Sequence, residues 1–583
     1  MIIIKQHLID LISNSIKKLN EKNEIPSEAF EVEVVLNPPK IKEHGDLATN
    51  FALAAAKKAR TNPRKLATLI VENMGKSDLI SDISIAGPGF INFKLAAKAM
   101  YDGLVRIIES GKNWGKGDKK DLNINLEFVS ANPTGPLHVG HGRGAAVGDA
   151  ISRILRFAGY DVTNEYYLND AGRQVGKLAE SIWYRYSEIC KKHGKDVDTG
   201  EFPEDGYHGE YVTDMAKKLY DKFSDSLLNK GFDEEFLRNF GINEALNDIK
   251  STLSLLNVEF DLFYSEKELH QNGAIQKAID LLKNKGLTYE LDGALFFKST
   301  EFGDEKDRVL IRSNSDPTYF AADVAYHMNK FDRGFNKLID LWGADHHGYI
   351  SRIKGSLKAL GQNPDDFEAL LVQFVSLVED GKKLSMGKRS GNFVTLKELI
   401  QKVGSDVTRW FFIAKTHDVA IDFDLKTALS NDPKENPARY AQYGHARACS
   451  ILSKAETTGF KLNYDFSVLN KLDNPEELDL IKMMLQFPEL IQNSAISRSP
   501  HKIANFLLEI SRAFHSYYTG FKNDPILPKN SQMKNGLPED WDTEKTLARL
   551  LWTKAFVITT RNALTVLGLP APEHMSSPNE EVE

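Results

Sequence analysis

Ile124-Asn125-Leu126-Glu127-Phe128-Val129-Ser130-Ala131-Asn132-Pro133-Thr134-Gly135-Pro136-Leu137-His138-Val139-Gly140-His141-Gly142 is the stretch on which the fold turns. Ile124, Leu126 and Phe128 alternate with Asn125 and Glu127, the period of a strand. A loop rich in Pro and Gly follows. Beyond it Val147, Ile151, Ile154, Leu155 and Ala158 recur at helical spacing until Gly159. A further strand-like run over residues 162–167 completes strand–helix–strand, the unit of a parallel sheet. The same logic resumes at Leu338-Ile339-Asp340-Leu341-Trp342-Gly343, followed by a helix from about Ile350. The fold class is α/β, with a parallel-sheet core.

Working outward, the residues from about 175 to 305 break this rhythm and read as an insertion. It is mostly polar helix, then a hairpin with Asp292-Gly293 at its turn. On the N-terminal side, residues 1–115 read as a separate α/β unit. Leu8, Leu11, Ile12, Ile16 and Leu19 share one helix face. Val32, Val34 and Leu36 alternate before Asn37-Pro38-Pro39, and an alanine-rich helix is expected over 51–60. Gly87-Pro88-Gly89 precedes a short strand, Phe90-Ile91-Asn92-Phe93. Gly111, Gly115 and Gly117, with lysines between them, read as a linker to a central unit over 118–430. The final unit, 431–583, carries two apolar helical stripes, Ile503-Phe506-Leu507-Ile510-Phe514 and Leu547-Leu550-Leu551-Ile558, as an all-α bundle requires.

The chain's 583 residues suit three or four such units. Its two cysteines, Cys190 and Cys449, exclude a disulfide scaffold and a four-cysteine zinc site, and suit a reducing compartment. No apolar run reaches the ~18 residues that span a bilayer. Met1-Ile2-Ile3-Ile4 is too short an apolar stretch for a leader, so a cytoplasmic protein beginning directly with its first domain is expected. The formal charge of -7 argues against a generally basic coat for nucleic acid. It leaves room for a local basic groove, because net charge does not say where charges sit.

His138 and His141 stand between a strand and a helix N-terminus, among Gly140, Gly142 and Gly144. Glycines let the backbone approach a polyphosphate closely, and the helix dipole adds a favourable field. A metal pair or a plain glycine-rich turn fits the same residues. Tyr319 and Asp323 lie four apart on one helix, and Tyr443 and Arg447 four apart on another. An aromatic beside an arginine suits single-stranded RNA; a core tyrosine with a solvated arginine fits equally well.

Context decides between these. The stretch 127–141 resembles the HIGH segment of class I aminoacyl-tRNA synthetases, and more narrowly that of the arginyl-tRNA synthetases. Gly343-Ala344-Asp345-His346-His347 resembles the family's fourth-strand motif. Ser385-Met386-Gly387-Lys388-Arg389-Ser390 stands where the KMSKS loop belongs. Asn436-Pro437-Ala438-Arg439-Tyr440-Ala441-Gln442-Tyr443 is similar to the opening of its anticodon-binding domain. His44-Gly45-Asp46-Leu47-Ala48-Thr49-Asn50 and the segment 87–93 resemble its N-terminal domain. The likeness covers essentially the whole chain.

The resemblance implies a Rossmann-like catalytic core and ligation of L-arginine to tRNA(Arg) through an arginyl-adenylate. ATP is a substrate, accompanied by Mg2+, with no structural zinc; a monomer is expected. His138, His141 and Lys388 would be catalytic. Thr134, Gly140, Gly343, Asp345 and Met386 would join them around ATP. Tyr319 and Asp323 would hold the guanidinium, with Glu127, Asn132 and His138 at the amino-acid end. His346 matches a position that some members fill with Gln. Phe90, Asn92, Tyr443 and Arg447 would touch tRNA. The KMSKS-like loop departs from the pattern: Ser385 replaces its first lysine and Gly387 its serine, leaving Lys388. No compensating lysine precedes His138 in Thr134-Gly135-Pro136-Leu137. A cysteinyl-tRNA synthetase would need more cysteines. An RNA-binding paralogue without ligase activity would have no need of both histidines and Lys388.

Overall fold

The Leu8-Ile12-Ile16-Leu19 stripe is buried on a helix spanning Ile2–Glu21, since residues four apart share a face. It packs against the helix Pro63–Asn73, Ser15 Oγ donating to the Ile70 carbonyl, and that helix in turn lies on a three-stranded antiparallel sheet ordered β1(Leu47–Thr49)-β3(Phe90–Leu95)-β2(Ile80–Ala86). The computed structural model describes residues 1–384, 394–462, 464–521, 523–528 and 537–575. Two local expectations fail in this unit. Residues 32–36 form no strand, and only Asn37 bridges to Ala48; Pro38 and Pro39 supply no N–H to extend a ladder. The alanine-rich helix stops at Ala55.

The central sheet has five parallel strands. In chain order they are β4(Asn123–Glu127), β5(Asp161–Leu168), β6(Leu262–Ser265), β10(Lys337–Gly343) and β11(Phe367–Val372). Their spatial order is β11-β10-β4-β5-β6. Helix α1(Val139–Phe157) joins β4 to β5. Helix α2(Tyr319–Asp332) precedes β10. The stretch 175–305 is not one insertion, because it contains β6, the edge strand paired with β5. Two bodies flank that strand. Helices Arg173–Lys192, Glu210–Phe223 and Glu234–Leu255 pack around Leu178, Ile182, Tyr186, Val212 and Leu219. A small antiparallel sheet follows: β7(Thr288–Leu291), β8(Ala294–Phe297) and β9(Arg308–Ile311). Its Asp292-Gly293 turn has φ of 49° and 75°, as a two-residue hairpin demands.

The C-terminal helices are α3(Pro437–Thr457), α4(Pro475–Ile496), α5(Pro500–Gly520) and α6(Thr543–Val566). Both expected stripes face their common core, with Ile503, Leu507, Ile510, Phe514, Leu550 and Leu551 almost fully buried. The glycine-rich segment 111–117 is not a free linker. A Cβ on Gly117 would meet the Ala158 carbonyl oxygen at 2.4 Å, and one on Gly115 the Phe487 ring at 2.5 Å. The glycines are there for close approach. Asn562 on α6 fixes the segment further, donating to the carbonyls of Gly111 and Trp114.

Candidate active site

β4 runs on to β5 and β6 on one side of the sheet, while β10 leads to β11 on the other. The strand order therefore reverses between β4 and β10, whose neighbouring residues include Glu127 and Asp340. In open parallel sheets this reversal leaves a crevice at the carboxyl ends of the strands. The His138 loop leaves β4 there, and the Asp345–His346 segment leaves β10.

The chain turns sharply off β4. Val129 has φ of 71° and Ser130 of 38°, a conformation that a β-branched residue adopts only when its surroundings force it. Ser130 supplies part of that force: its Oγ donates to Glu127 Oε1 (2.8 Å) and accepts from the Tyr167 N–H (3.0 Å). Farther on, Leu396 N donates to the Leu137 carbonyl at 2.8 Å, and His138 bridges Thr395. His138 then caps α1 in a reciprocal arrangement. Its Nδ1 accepts from the His141 N–H (3.2 Å), and His141 Nδ1 accepts from the His138 N–H (3.3 Å). The imidazoles stack with centroids 3.5 Å apart. With both Nδ1 atoms accepting, the neutral rings carry their protons on Nε2, so each is a defined Nε2–H donor. A Cβ on Gly140 would lie 3.0 Å from the His138 ring and press on it, so glycine leaves that ring its place. The arrangement can present two N–H donors to an anion at a helix N-terminus.

The opposite wall is acidic. Beneath it, buried Lys330 pairs with Glu127 Oε2 (2.6 Å) and Asp340 Oδ1 (2.9 Å). His327 bonds Asp340 Oδ2 (2.9 Å) and the Asp323 carbonyl (2.7 Å). Both partners of that ring are acceptors, which favours the imidazolium. Lys330 and His327 thus balance Glu127 and Asp340. Among the described residues, neither Asp323 nor Glu266 has a lysine or arginine in ion-pair range. Asp323 accepts from the Tyr349 hydroxyl at 2.5 Å. Burial pushes its carboxyl up to about 6. Glu266, 4% exposed, lies against the Tyr167 hydroxyl; burial and the nearby Asp323 charge push it up to about 7. Its ion-pair contact, with His270 Nε2 at 3.7 Å, is too long for a hydrogen bond.

Tyr349, Tyr167 and Glu266 escaped the sequence reading. Glu266 had a signal: Ser265-Glu266-Lys267-Glu268 is a helix-start pattern directly after an alternating run. Ser265 does cap that helix, through Glu268 N. Glu266 therefore sits at the carboxyl end of a parallel strand. Among the expected residues, Thr134 is buried, while Asn132 is exposed and donates to Gln174 (2.8 Å). Tyr319 opens α2 and is 60% exposed. Gly343, Asp345 and His346 form an exposed rim. Met386 and Lys388 lie outside the described residues.

A family model described as the class I (R) tRNA synthetase catalytic domain matches residues 104–422, more than half of the chain. The chain belongs to the arginyl-tRNA synthetases. The models for the arginyl-tRNA synthetase N-terminal domain and the DALR anticodon-binding domain match residues 6–95 and 441–575. The arginine–tRNA ligase of Bacillus licheniformis is 42% identical over 98% of this chain and 100% of its own. That of Geobacter sp. strain M21 is 44% identical over 92% and 94%. The solved arginyl-tRNA synthetase of Thermus thermophilus, 23% identical, shares the fold at a TM-score of 0.71 over 98% of this chain and 100% of its own. The enzyme is an arginine–tRNA ligase, which charges tRNA(Arg) with arginine at the expense of ATP.

Two surfaces of this synthetase carry the residues expected to meet tRNA. On α3, the Arg447 guanidinium lies between the Tyr443 and Tyr518 rings, 5.1 and 4.7 Å from their centroids. Its Nη1 donates to His515 Nδ1 at 3.2 Å. Burial, reinforced by the Arg447 charge, lowers His515 to about 4, which keeps that acceptor neutral. His515 also stacks on Tyr443, at 5.4 Å. Tyr518 and His515 come from α5, and no spacing within the sequence joins them to α3. In the N-terminal unit, Phe90 is 42% exposed, whereas Asn92 on the same strand is 3% exposed.

Proposed function

We propose that the crevice holds arginine with its guanidinium between Asp323 and Glu266 and its carboxylate toward His138. The observation that carries this reading is a pair of carboxylates, Glu266 buried and Asp323 partly so, each with a hydroxyl partner and, among the described residues, no lysine or arginine in ion-pair range. A guanidinium supplies the missing charge and a fork of N–H donors. Glu127 and Asn132 face the amino-acid end, with Tyr319 and His346 at the rim. ATP lies along Thr134, Gly140, the two histidines, Gly343 and Asp345; Met386 and Lys388, outside the described residues, complete the ATP-binding set. Among the described residues, no group of three or more His, Cys, Asp or Glu side chains could hold a metal ion. Mg2+ accompanies ATP as part of the substrate.

The arginine carboxylate attacks the α-phosphorus. The new oxygen–phosphorus bond gives the mixed anhydride, and the bond to pyrophosphate breaks. An α-carboxyl group ionises at a pKa of about 3.5, so no general base is needed. The protein positions the reactants and meets the phosphate charge with the two Nε2–H donors. A ribose hydroxyl of the tRNA terminus then takes the arginyl group and releases AMP.

The acidic wall predicts the pH dependence. A cation binds the ionised carboxyls, so arginine binding must expel whatever protons Asp323 and Glu266 hold. Arginine affinity should rise from pH 5.5 through the range about 6 to 7 and level off above it. Calorimetry at pH 6.5 in two buffers of different ionisation enthalpy should show net proton release. Proton uptake, or affinity independent of pH across that range, counts against the placement.

Phe90 and the Tyr443–Arg447–Tyr518 stack are the tRNA contacts, the stack receiving an unstacked base; Asn92, expected beside Phe90, is buried and offers tRNA no surface. A protein of net charge -7 must gather its basic side chains on one face to bind tRNA. Affinity for tRNA(Arg) should therefore fall at least about tenfold between 50 and 200 mM salt, through counterion release. A flat salt profile in filter binding would remove that face. We place the enzyme in the cytoplasm as a monomer. No described helix is long and apolar enough to cross a membrane, and both cysteines are free thiols. Sedimentation at micromolar concentration tests the monomer.

A further inference from the structure

The loop that delivers His138 is held at intervals along its length. Tyr166, on β5, donates from its hydroxyl to the Ala131 carbonyl at 2.8 Å. Leu396 N holds Leu137. Between these anchors a third comes from outside the sheet. The Tyr211 hydroxyl donates to the Thr134 carbonyl at 2.8 Å. Tyr211 is the second residue of the helix Glu210–Phe223, in the helical body between β5 and β6. The same residue packs its ring on the loop, because a Cβ on Gly135 would lie 3.0 Å from it. Its neighbour Val212 is fully buried in that body's own core, which fixes where the tyrosine stands. Burial holds its hydroxyl protonated at any working pH, so it remains a donor. The Asn132–Gln174 hydrogen bond, 2.8 Å long, ties the loop to the first helix of the same body.

We propose that Tyr211 is a positioning residue for adenylate formation. Through it, the helical body sets the reach of His138 and His141 toward the phosphates. Thr134 lies only four residues before His138, with Pro136 stiffening the span between them. A shift at Thr134 is therefore passed directly to the pair. The inference rests on the reading of the histidines as phosphate donors.

The test uses the full-length enzyme with tRNA(Arg) present. Tyr211→Phe removes the hydroxyl and keeps the ring over Gly135. At saturating ATP and arginine, kcat for pyrophosphate exchange should fall about tenfold, because small displacements of a donor are amplified in rate. KM for arginine should stay within about twofold. A merely structural role would lower Tm and leave kcat per titrated active site unchanged; that outcome overturns the proposal. The second arm places Tyr211→Phe on His138→Ala. If Tyr211 acts through the pair, the added loss should be under about twofold. A full, independent tenfold loss there overturns the route through the loop. Should His138→Ala itself keep normal kcat, the phosphate reading fails as well. If His138→Ala is crippled and Tyr211→Phe is normal, only the role of Tyr211 is lost.

Discussion

Replacing both acidic residues, Asp323→Asn with Glu266→Gln, should raise KM for arginine by about 10²–10³ and leave the fold intact. Each carboxylate meets the guanidinium through hydrogen bonds that carry charge, and removing one partner of a buried pair of that kind costs about 2–5 kcal/mol. Each single variant should cost at least about tenfold, or ~1.4 kcal/mol. The double variant should fall short of the product of the singles, because Asp323 already raises Glu266 and the sites are coupled. Stability should move the other way. Both carboxyls sit above their ordinary values, at about 6 and about 7. Ionising them therefore destabilises the ligand-free fold once pH exceeds those of the unfolded chain. Neutral amides remove that penalty, so Tm at pH 7.5 should hold or rise while arginine use collapses. Unchanged KM in both single variants would clear Asp323 and Glu266 from the site. A collapse of Tm would make them structural residues.

Lys388→Ala should lower the single-turnover rate of adenylate formation by about 10²–10³, as losing a preorganised donor in a transition state does elsewhere. The reason lies in what surrounds it in the chain. The KMSKS-like loop has Ser385 and Gly387 where the family pattern has a lysine and a serine, and no lysine stands in 134–137 to replace the missing charge. Lys388 is itself outside the described residues, but its downstream anchor is not. Thr395, seven residues on, is bridged to His138. Lys382→Ala is the control, since Lys382 lies exposed on the strand leading into the loop. Equal, small effects in the two variants would leave Mg2+ and the histidines to meet the charge alone.

Much of this enzyme was legible in one dimension because its signals are local. The 124–142 stretch carries a strand period, a loop composition and a helix start in one run, and all three formed. The apolar stripes of the bundle became buried faces for the same reason: helical spacing alone decides which side chains share a side. Both histidines stood out as candidates by their place between strand and helix, whereas Asp323 became a candidate only through the family resemblance. The acidic wall could not be read completely. Glu266 lies 57 residues before Asp323 in a stretch that looked like an insertion, and only the pairing of β6 with β5 brings it to the sheet's carboxyl edge. The linker failed similarly: Gly115 and Gly117 have the composition of free chain, yet Phe487 and Ala158 close on them. One-dimensional order determines which residues share a face of one element, since backbone geometry sets that period. Which faces meet depends on contacts between distant segments. Those contacts alone gave Lys330 two carboxylates to balance and put no described lysine or arginine beside Asp323 or Glu266.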